Sequence, residues 1–367
     1  MTQEFESKNS ELKVFPLSDF PFSEFYNKTK FIFSFPYFSR NYAKEFHIFQ
    51  DSFKPKLEIN QSTIAHFTRL WFRNYFINFD LSLNRGNTAG FVFEDSFPFK
   101  EKDILFVGAA PILENQISWI RENQDRFFIL SSDTACYTLI ANRIRPDFIL
   151  SIDAGRGTIF HFKDIPSDIP IITWLGANTH IFRLPNPVYL YLSTYPLDQV
   201  LHSILFSGRE FMIKNPSLNV AGLAKAIGET FFAKRLIFSG MSFKIQSAKT
   251  HARGTGYENF NLPRVNRYYP MEAYIPKAYQ KEISPKNKAA LYHLMESKSL
   301  QILKPELISD IELGTAIYKT KSLSLKVSPN LKEKFKKFLL NPNIQKEVLT
   351  ETGIELTVFN KMSKLMI

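Results

Sequence analysis

Between Asp103 and Asp153 the chain alternates short apolar runs with spacers of helix length. The runs are Asp103-Ile-Leu-Phe-Val107, Arg126-Phe-Phe-Ile-Leu-Ser131 and Asp147-Phe-Ile-Leu-Ser-Ile152. Each is apolar almost throughout, without strict in-out alternation. That pattern predicts strands buried on both faces, as in a parallel sheet. Spacers of about 15 residues suit helical crossovers between parallel strands. Further strands are expected at Ile169-Pro-Ile-Ile-Thr-Trp174, Val188-Tyr-Leu-Tyr-Leu192 and Lys234-Arg-Leu-Ile-Phe-Ser239. Between the last two, Asn219 to Phe232 reads as a helix with Asn219 as its cap and Gly228 near its end. The pattern predicts an α/β fold: a mostly parallel sheet with helices on both faces.

The flanks read differently. Residues 1–100 are aromatic-rich and form an expected N-terminal cap on the sheet. Within them Phe31-Ile-Phe-Ser-Phe35 suggests a strand or an aromatic anchor, Ile64 to Phe79 a helix, and Asn84 to Thr88 a turn. The expected core covers 101–275. Residues 276–367 form a helical C-terminal region punctuated by Pro285, Pro305, Pro329 and Pro342, each able to open or bound a helix.

Composition changes this picture in three places. The 37 Phe are read mainly as core. The single cysteine, Cys136, precludes a disulfide within the chain and suits a reducing compartment. The start has no basic stretch followed by an apolar run, and no window spans a bilayer, so a cytoplasmic protein without a transmembrane segment is expected. The net charge is +11, and from Pro285 onward 14 Lys face 8 acids. More than half of the excess thus sits at the C-terminal end. Those lysines are interspersed with acids and lack aromatic partners, so no nucleic-acid partner is expected.

Ligands of open parallel sheets bind beyond the carboxyl ends of the strands. Gly108, Asp133 and Asp153 follow three such ends and should meet at one rim. The turn after Val107 leads into a helix N-terminus, where unpaired N–H groups can receive a phosphate. Gly108 is the only glycine of that turn, so neither a Walker A nor a GxGxxG loop is present. Asp133 reads either as a ligand contact or as a helix cap. Asp153, before Ala-Gly-Arg-Gly, is a candidate ligand for a hydroxyl, metal or amine. His251 can accept a proton near neutral pH, and Arg253 beside it can neutralise phosphate or carboxylate charge, although an exposed loop histidine fits the sequence equally. The histidines lack zinc-ligand spacing, and Cys136 reads as a buried structural thiol.

Several blocks, taken together, resemble one family. Gly108-Ala-Ala-Pro-Ile-Leu-Glu114, Ser132-Asp-Thr-Ala135 and Arg145-Pro-Asp-Phe148 through Asp153 are similar to the 6-hydroxymethylpterin diphosphokinase MptE-like family, which includes the bacterial motility accessory factors. Upstream, Arg73-Asn74 and Asn78 extend the resemblance. Downstream, Asn219 to Gly228, Gly240-Met-Ser-Phe243 and Thr250-His-Ala-Arg-Gly-Thr255 extend it.

The resemblance implies an α/β, Rossmann-like core that binds a nucleotide, and a nucleotide-dependent transferase. It would be either a glycosyltransferase moving a nonulosonic sugar from a CMP-activated donor to a glycan or a protein such as flagellin, or an ATP-dependent diphosphokinase using Mg2+. It implies nucleotide contacts from Gly108, Ala109, Ala110, Pro111, Ile112, Glu114, Asp133 and Thr134. Asp153 and His251 would act in catalysis, and Asn74, Ser242 and Arg253 would contact substrate. Ala110, Ile112 and Ser242 depart from the family's Gly, Ser and Asp. Those departures raise a third reading, a binding or assembly protein that kept the fold and lost activity.

Overall fold

The computed structural model describes residues 54–92, 99–206, 212–215, 219–242, 249–270, 300–305, 308, 313 and 329–364. Phe31 to Phe35, Pro285, Ser247 and Ala248 lie outside them. Met1–Thr63 and Ile64–Ile367 form two compact units. In the first, the described residues are the opening turns of helix α1 (Lys54–Leu83).

The second unit is built on an eight-stranded sheet. Its strands are β1 (Ala89–Phe91), β2 (Asp103–Val107), β3 (Phe128–Ser132), β4 (Phe148–Leu150), β5 (Ile171–Thr173), β6 (Val188–Leu190), β7 (Arg235–Ser239) and β8 (Gln301–Leu303). Every pairing is parallel, in the order β1-β6-β5-β4-β3-β2-β7-β8. The sheet therefore crosses the boundaries expected near residues 100 and 276, through β1 at one edge and β8 at the other. Strands β2 and β6 begin where the apolar runs do, and β3, β4, β5 and β7 begin one or two residues later. A 3-10 turn takes Gln124–Arg126, and the Asp147 carboxylate accepts the Ile129 N–H at 2.8 Å in place of a ladder bond.

Both faces are covered, for a reason visible along each strand. Successive side chains of a strand point to opposite faces. Ile104 and Phe106 join one core cluster, and Leu105 and Val107 join the other. Helices α2 (Leu113–Asn123) and α3 (Asp133–Ala141) pack on the second cluster through Leu113, Ile117, Ile120 and Leu139. Helices α1, α4 (Pro196–Leu205) and α5 (Val220–Thr230) fill the first. Ser132 caps α3, and Asn219 caps α5 by accepting the Gly222 N–H at 2.8 Å.

The short helix α6 (Gly256–Asn261) follows β7. The C-terminal helices α7 (Pro329–Leu339), α8 (Pro342–Thr352) and α9 (Leu356–Ser363) complete the unit, two of them opening on the prolines singled out above. Phe335 of α7 packs on Phe79 with ring centroids 5.1 Å apart, and Phe359 of α9 packs on Phe72 at 5.6 Å. Ten of the largest fully buried side chains among the described residues are phenylalanines, which gives the Phe-rich composition its core role. No described helix is long and apolar enough to cross a membrane.

Candidate functional site

Strand order reverses beside β2. The chain steps from β2 through β3, β4, β5 and β6 in one direction, then returns to place β7 on the other side of β2. Such a reversal opens a crevice at the carboxyl ends of the strands. Here the β2 and β7 loops nearly close it. Gly108 N–H donates to Ser239 O and Ala110 N–H to Gly240 O. A β-carbon on Gly108 would stand 2.7 Å from Gly240 O. Gly240 adopts φ +62°, and a β-carbon there would stand 2.0 Å from Gly108 O. Both positions demand glycine, one for close approach and one also for its backbone angle.

This crossing has a consequence for the expected phosphate cradle. Besides Gly108 and Ala110, the N–H groups of Leu113, Glu114 and Asn115 donate to the carbonyls of Ala110, Pro111 and Ile112. Two amides of the loop and three at the start of α2 are thus committed within the chain. Ala110 is not among the residues with positive φ, so its extra methyl group meets no backbone penalty. Ile112 precedes α2 in helical conformation and provides no side-chain cap. Glu114 receives Lys249 Nζ at 3.0 Å and the Arg253 N–H at 2.9 Å. Those bonds hold its carboxylate below the usual range against a burial effect of opposite sign. Its carboxylate fastens the 249–253 loop to α2.

That loop comes back over the rim. Ala252 N–H donates to Ala109 O at 2.8 Å, and Thr138 Oγ1 donates to Arg253 O at 3.0 Å. Gly108, Asp133, Asp153 and His251 are therefore gathered at one end of the sheet.

The two aspartates play different parts there. Asp133 is buried at the first position of α3, and Ser132 is the cap. One of its oxygens accepts from Thr134 N and Oγ1, and the other accepts from Ser151 Oγ at 2.6 Å. It stitches the end of β3 to that of β4. Asp153 is exposed. Its Oδ1 accepts the Gly155 N–H at 2.9 Å, and its Oδ2 has no partner among the described residues. Its carbonyl accepts the Asn178 N–H, which joins it to the loop after β5. Asn74 and Asn78 of α1 hold that loop by donating to Ala177 O at 3.0 and 2.8 Å. Asn74 thus supports the rim from behind. Arg253 is exposed beside His251, and Ser242 lies half-buried after Gly240.

His251 bonds Thr250 Oγ1 through Nδ1 at 2.9 Å and stacks on Tyr257 of α6, with centroids 4.1 Å apart and planes 12° from parallel. Burial, then the neighbouring His161, lowers its basicity to a pKa of about 4. The imidazole is neutral at physiological pH. His161 stands 5.6 Å from the same tyrosine ring, and its buried Nδ1 has no hydrogen-bond partner. Sequence reasoning missed Tyr257 and His161. Neither lies in a motif, and they meet only because the 3-10 segment Arg156–Phe162 packs against α6.

The diphosphokinase reading implies magnesium, and the rim offers few groups to hold it. Among the described residues no group of three or more His, Cys, Asp or Glu is placed to hold a metal. With both oxygens of Asp133 occupied, the rim acids offer one open oxygen, on Asp153. Asp153 alone would therefore hold Mg2+ from the protein side, with the remaining oxygens of its octahedral shell supplied by water and substrate phosphate.

Comparison with known proteins finds the family that the sequence blocks resemble. Residues 80–247 match the model of the family described as 6-hydroxymethylpterin diphosphokinase MptE-like. An uncharacterized protein of Treponema pallidum (strain Nichols) is 24% identical over 226 residues, which cover 60% of this chain and 39% of that protein. A second uncharacterized protein of the same organism is 31% identical over 94 residues, 25% of this chain and 41% of that one. The chain thus spans well under half the length of these relatives. Among solved structures, the MAf glycosyltransferase from Magnetospirillum magneticum AMB-1 is similar with a TM-score of 0.45 and 13% identity, covering 80% of this chain and 44% of that one. A likeness at that level says nothing of activity.

Proposed function

From the premise that residues 80–247 are MptE-like, we propose that the chain is a glycosyltransferase of the motility-accessory type. It moves a nonulosonic sugar from a CMP-activated donor to a glycan or protein acceptor such as flagellin, in the cytoplasm. The observation that carries the choice of donor is the state of the Gly108 loop. A nucleoside triphosphate needs several outward amides to cradle its phosphates. Two amides of this loop and three in the first turn of α2 are already bonded to carbonyls of the chain. A donor with one phosphate asks less of it, and Arg253 is exposed nearby to meet that charge.

In this reading the acceptor oxygen bonds to the anomeric carbon while the bond from that carbon to the phosphate oxygen breaks. CMP leaves with the bonding pair. The acceptor proton passes to Asp153, whose Oδ2 is open. His251, neutral and pinned by Thr250, orients Tyr257 and does not take the proton.

Calorimetry with CMP and ATP, with and without Mg2+, tests the reading. CMP is expected to bind without metal and more tightly than ATP. Tight, Mg2+-dependent ATP binding with diphosphate transfer to a hydroxymethylpterin would replace it with the diphosphokinase. Failure of every nucleotide at millimolar concentration would leave the assembly protein.

A further inference from the structure

Two exposed residues that feel one another's charge, Asp153 and Tyr257, each carry a polar atom without a partner among the described residues, and the two atoms have opposite hydrogen-bonding character. Asp153 Oδ2 can only accept. The Tyr257 hydroxyl, on a side chain 45% exposed, has no partner among the described residues. Burial, then the charges of Asp153 and Asp133, pushes this phenol above its ordinary pKa, so it stays protonated and available to donate. The ring cannot swing freely. His251 lies parallel to it at 4.1 Å and His161 walls it at 5.6 Å. His161 is itself held against the backbone at Gly256, where a β-carbon would come within 2.2 Å of its Nδ1. A group fixed before binding loses little entropy when it engages a ligand.

An alcohol both donates and accepts, and neighbouring alcohols on a sugar do so together. We propose that Tyr257 and Asp153 form a sugar-hydroxyl subsite, in which the phenol donates to one hydroxyl oxygen of a vicinal diol and the carboxylate accepts from the neighbouring hydroxyl. This rests on the glycosyl-transfer reading and makes Tyr257 a substrate-contacting residue. The diol belongs either to the nucleotide ribose or to a sugar unit.

Calorimetry on the full chain separates these sources. The probes are CMP, 2′-deoxycytidine monophosphate and free N-acetylneuraminic acid. The proteins are the native chain, Tyr257→Phe, which keeps the stack and loses the hydroxyl, and Asp153→Asn, an exposed change that spares the fold. Loss of one hydrogen bond predicts binding weaker by about 3- to 10-fold in each variant. A loss seen with CMP and absent with the deoxynucleotide puts the ribose at the subsite. A loss confined to the free sugar puts the sugar unit there. Unchanged affinity of both variants for both hydroxylated probes overturns the subsite while CMP binding by the native chain keeps the transferase. Variant-sensitive sugar binding without nucleotide binding keeps the subsite and removes the transferase. Binding of no probe by the native chain removes both.

Discussion

Acidic residues sit at both ends of this sheet, and they are used in opposite ways. At the amino ends of the strands Asp103 is buried and grips Arg235 with two bonds of 2.6 Å, tying β2 to β7. Asp147 fills a missing ladder bond, and burial raises its carboxyl to about 6. At the carboxyl ends Asp133 is likewise spent on structure, whereas Asp153 Oδ2 has no partner among the described residues. The difference teaches where to look for chemistry. A carboxylate whose oxygens are all occupied holds the fold, and one left half-satisfied at a rim is available to a ligand.

The largest effect is expected at the structural end. Arg235→Met strands Asp103 in the core and should cost about 3–5 kcal/mol, read from urea unfolding. A cost below about 1 kcal/mol would mean that the pair does not hold the amino end as described.

Gly240→Ala tests the boundary between the two ends. Positive φ alone costs about 1–3 kcal/mol, and the overlap with Gly108 O adds to it. Stability and nucleotide binding should fall together, because this contact shapes the loop.

A buried acid beyond the carboxyl end of β6 gives a pH signature. Asp198 of α4 accepts from Tyr75 at 2.7 Å and from Ser193 N and Oγ, and burial raises it to about 6. Its folded pKa lies above the unfolded value of about 3.9, so its contribution is complete below that pH and is lost as pH rises through 6. The stability gap between the native chain and Asp198→Asn should therefore narrow from pH 4 to pH 7, by about 2 kcal/mol. A gap that widens over the same range would contradict the raised carboxyl.

The smallest change in stability is expected at the open end. Asp153→Asn should shift the unfolding free energy by less than about 0.5 kcal/mol while abolishing most transfer. A large loss of stability there would class Asp153 with Asp103, and the contrast would fail.

Much of the frame was legible beforehand because it follows from local pattern. Apolar runs such as Ile104 to Val107 announce burial on both faces, and the intervening lengths announce helices. Asn219 and Pro342 mark helix starts by chemistry that acts within a turn. The rim acids were legible too, since a residue that follows a parallel strand must lie at its carboxyl end. Edge strands β1 and β8 were not, because runs as short as Ala89–Phe91 carry little pattern. Neither was the stack of His251 on Tyr257 beside His161, in which two of the rings lie 96 positions apart in the chain.

Sequence alone decided the type of sheet, its direction and the edge at which Gly108, Asp133 and Asp153 gather, because periodicity and spacing constrain those through short-range geometry. Tertiary structure alone decided which groups remain open. The Gly108 amides, the Glu114 carboxylate and the oxygens of Asp133 are consumed by partners that folding brings to them. Hydrogen-bonding capacity is finite at each atom, and how it is shared out depends on neighbours that no local pattern specifies.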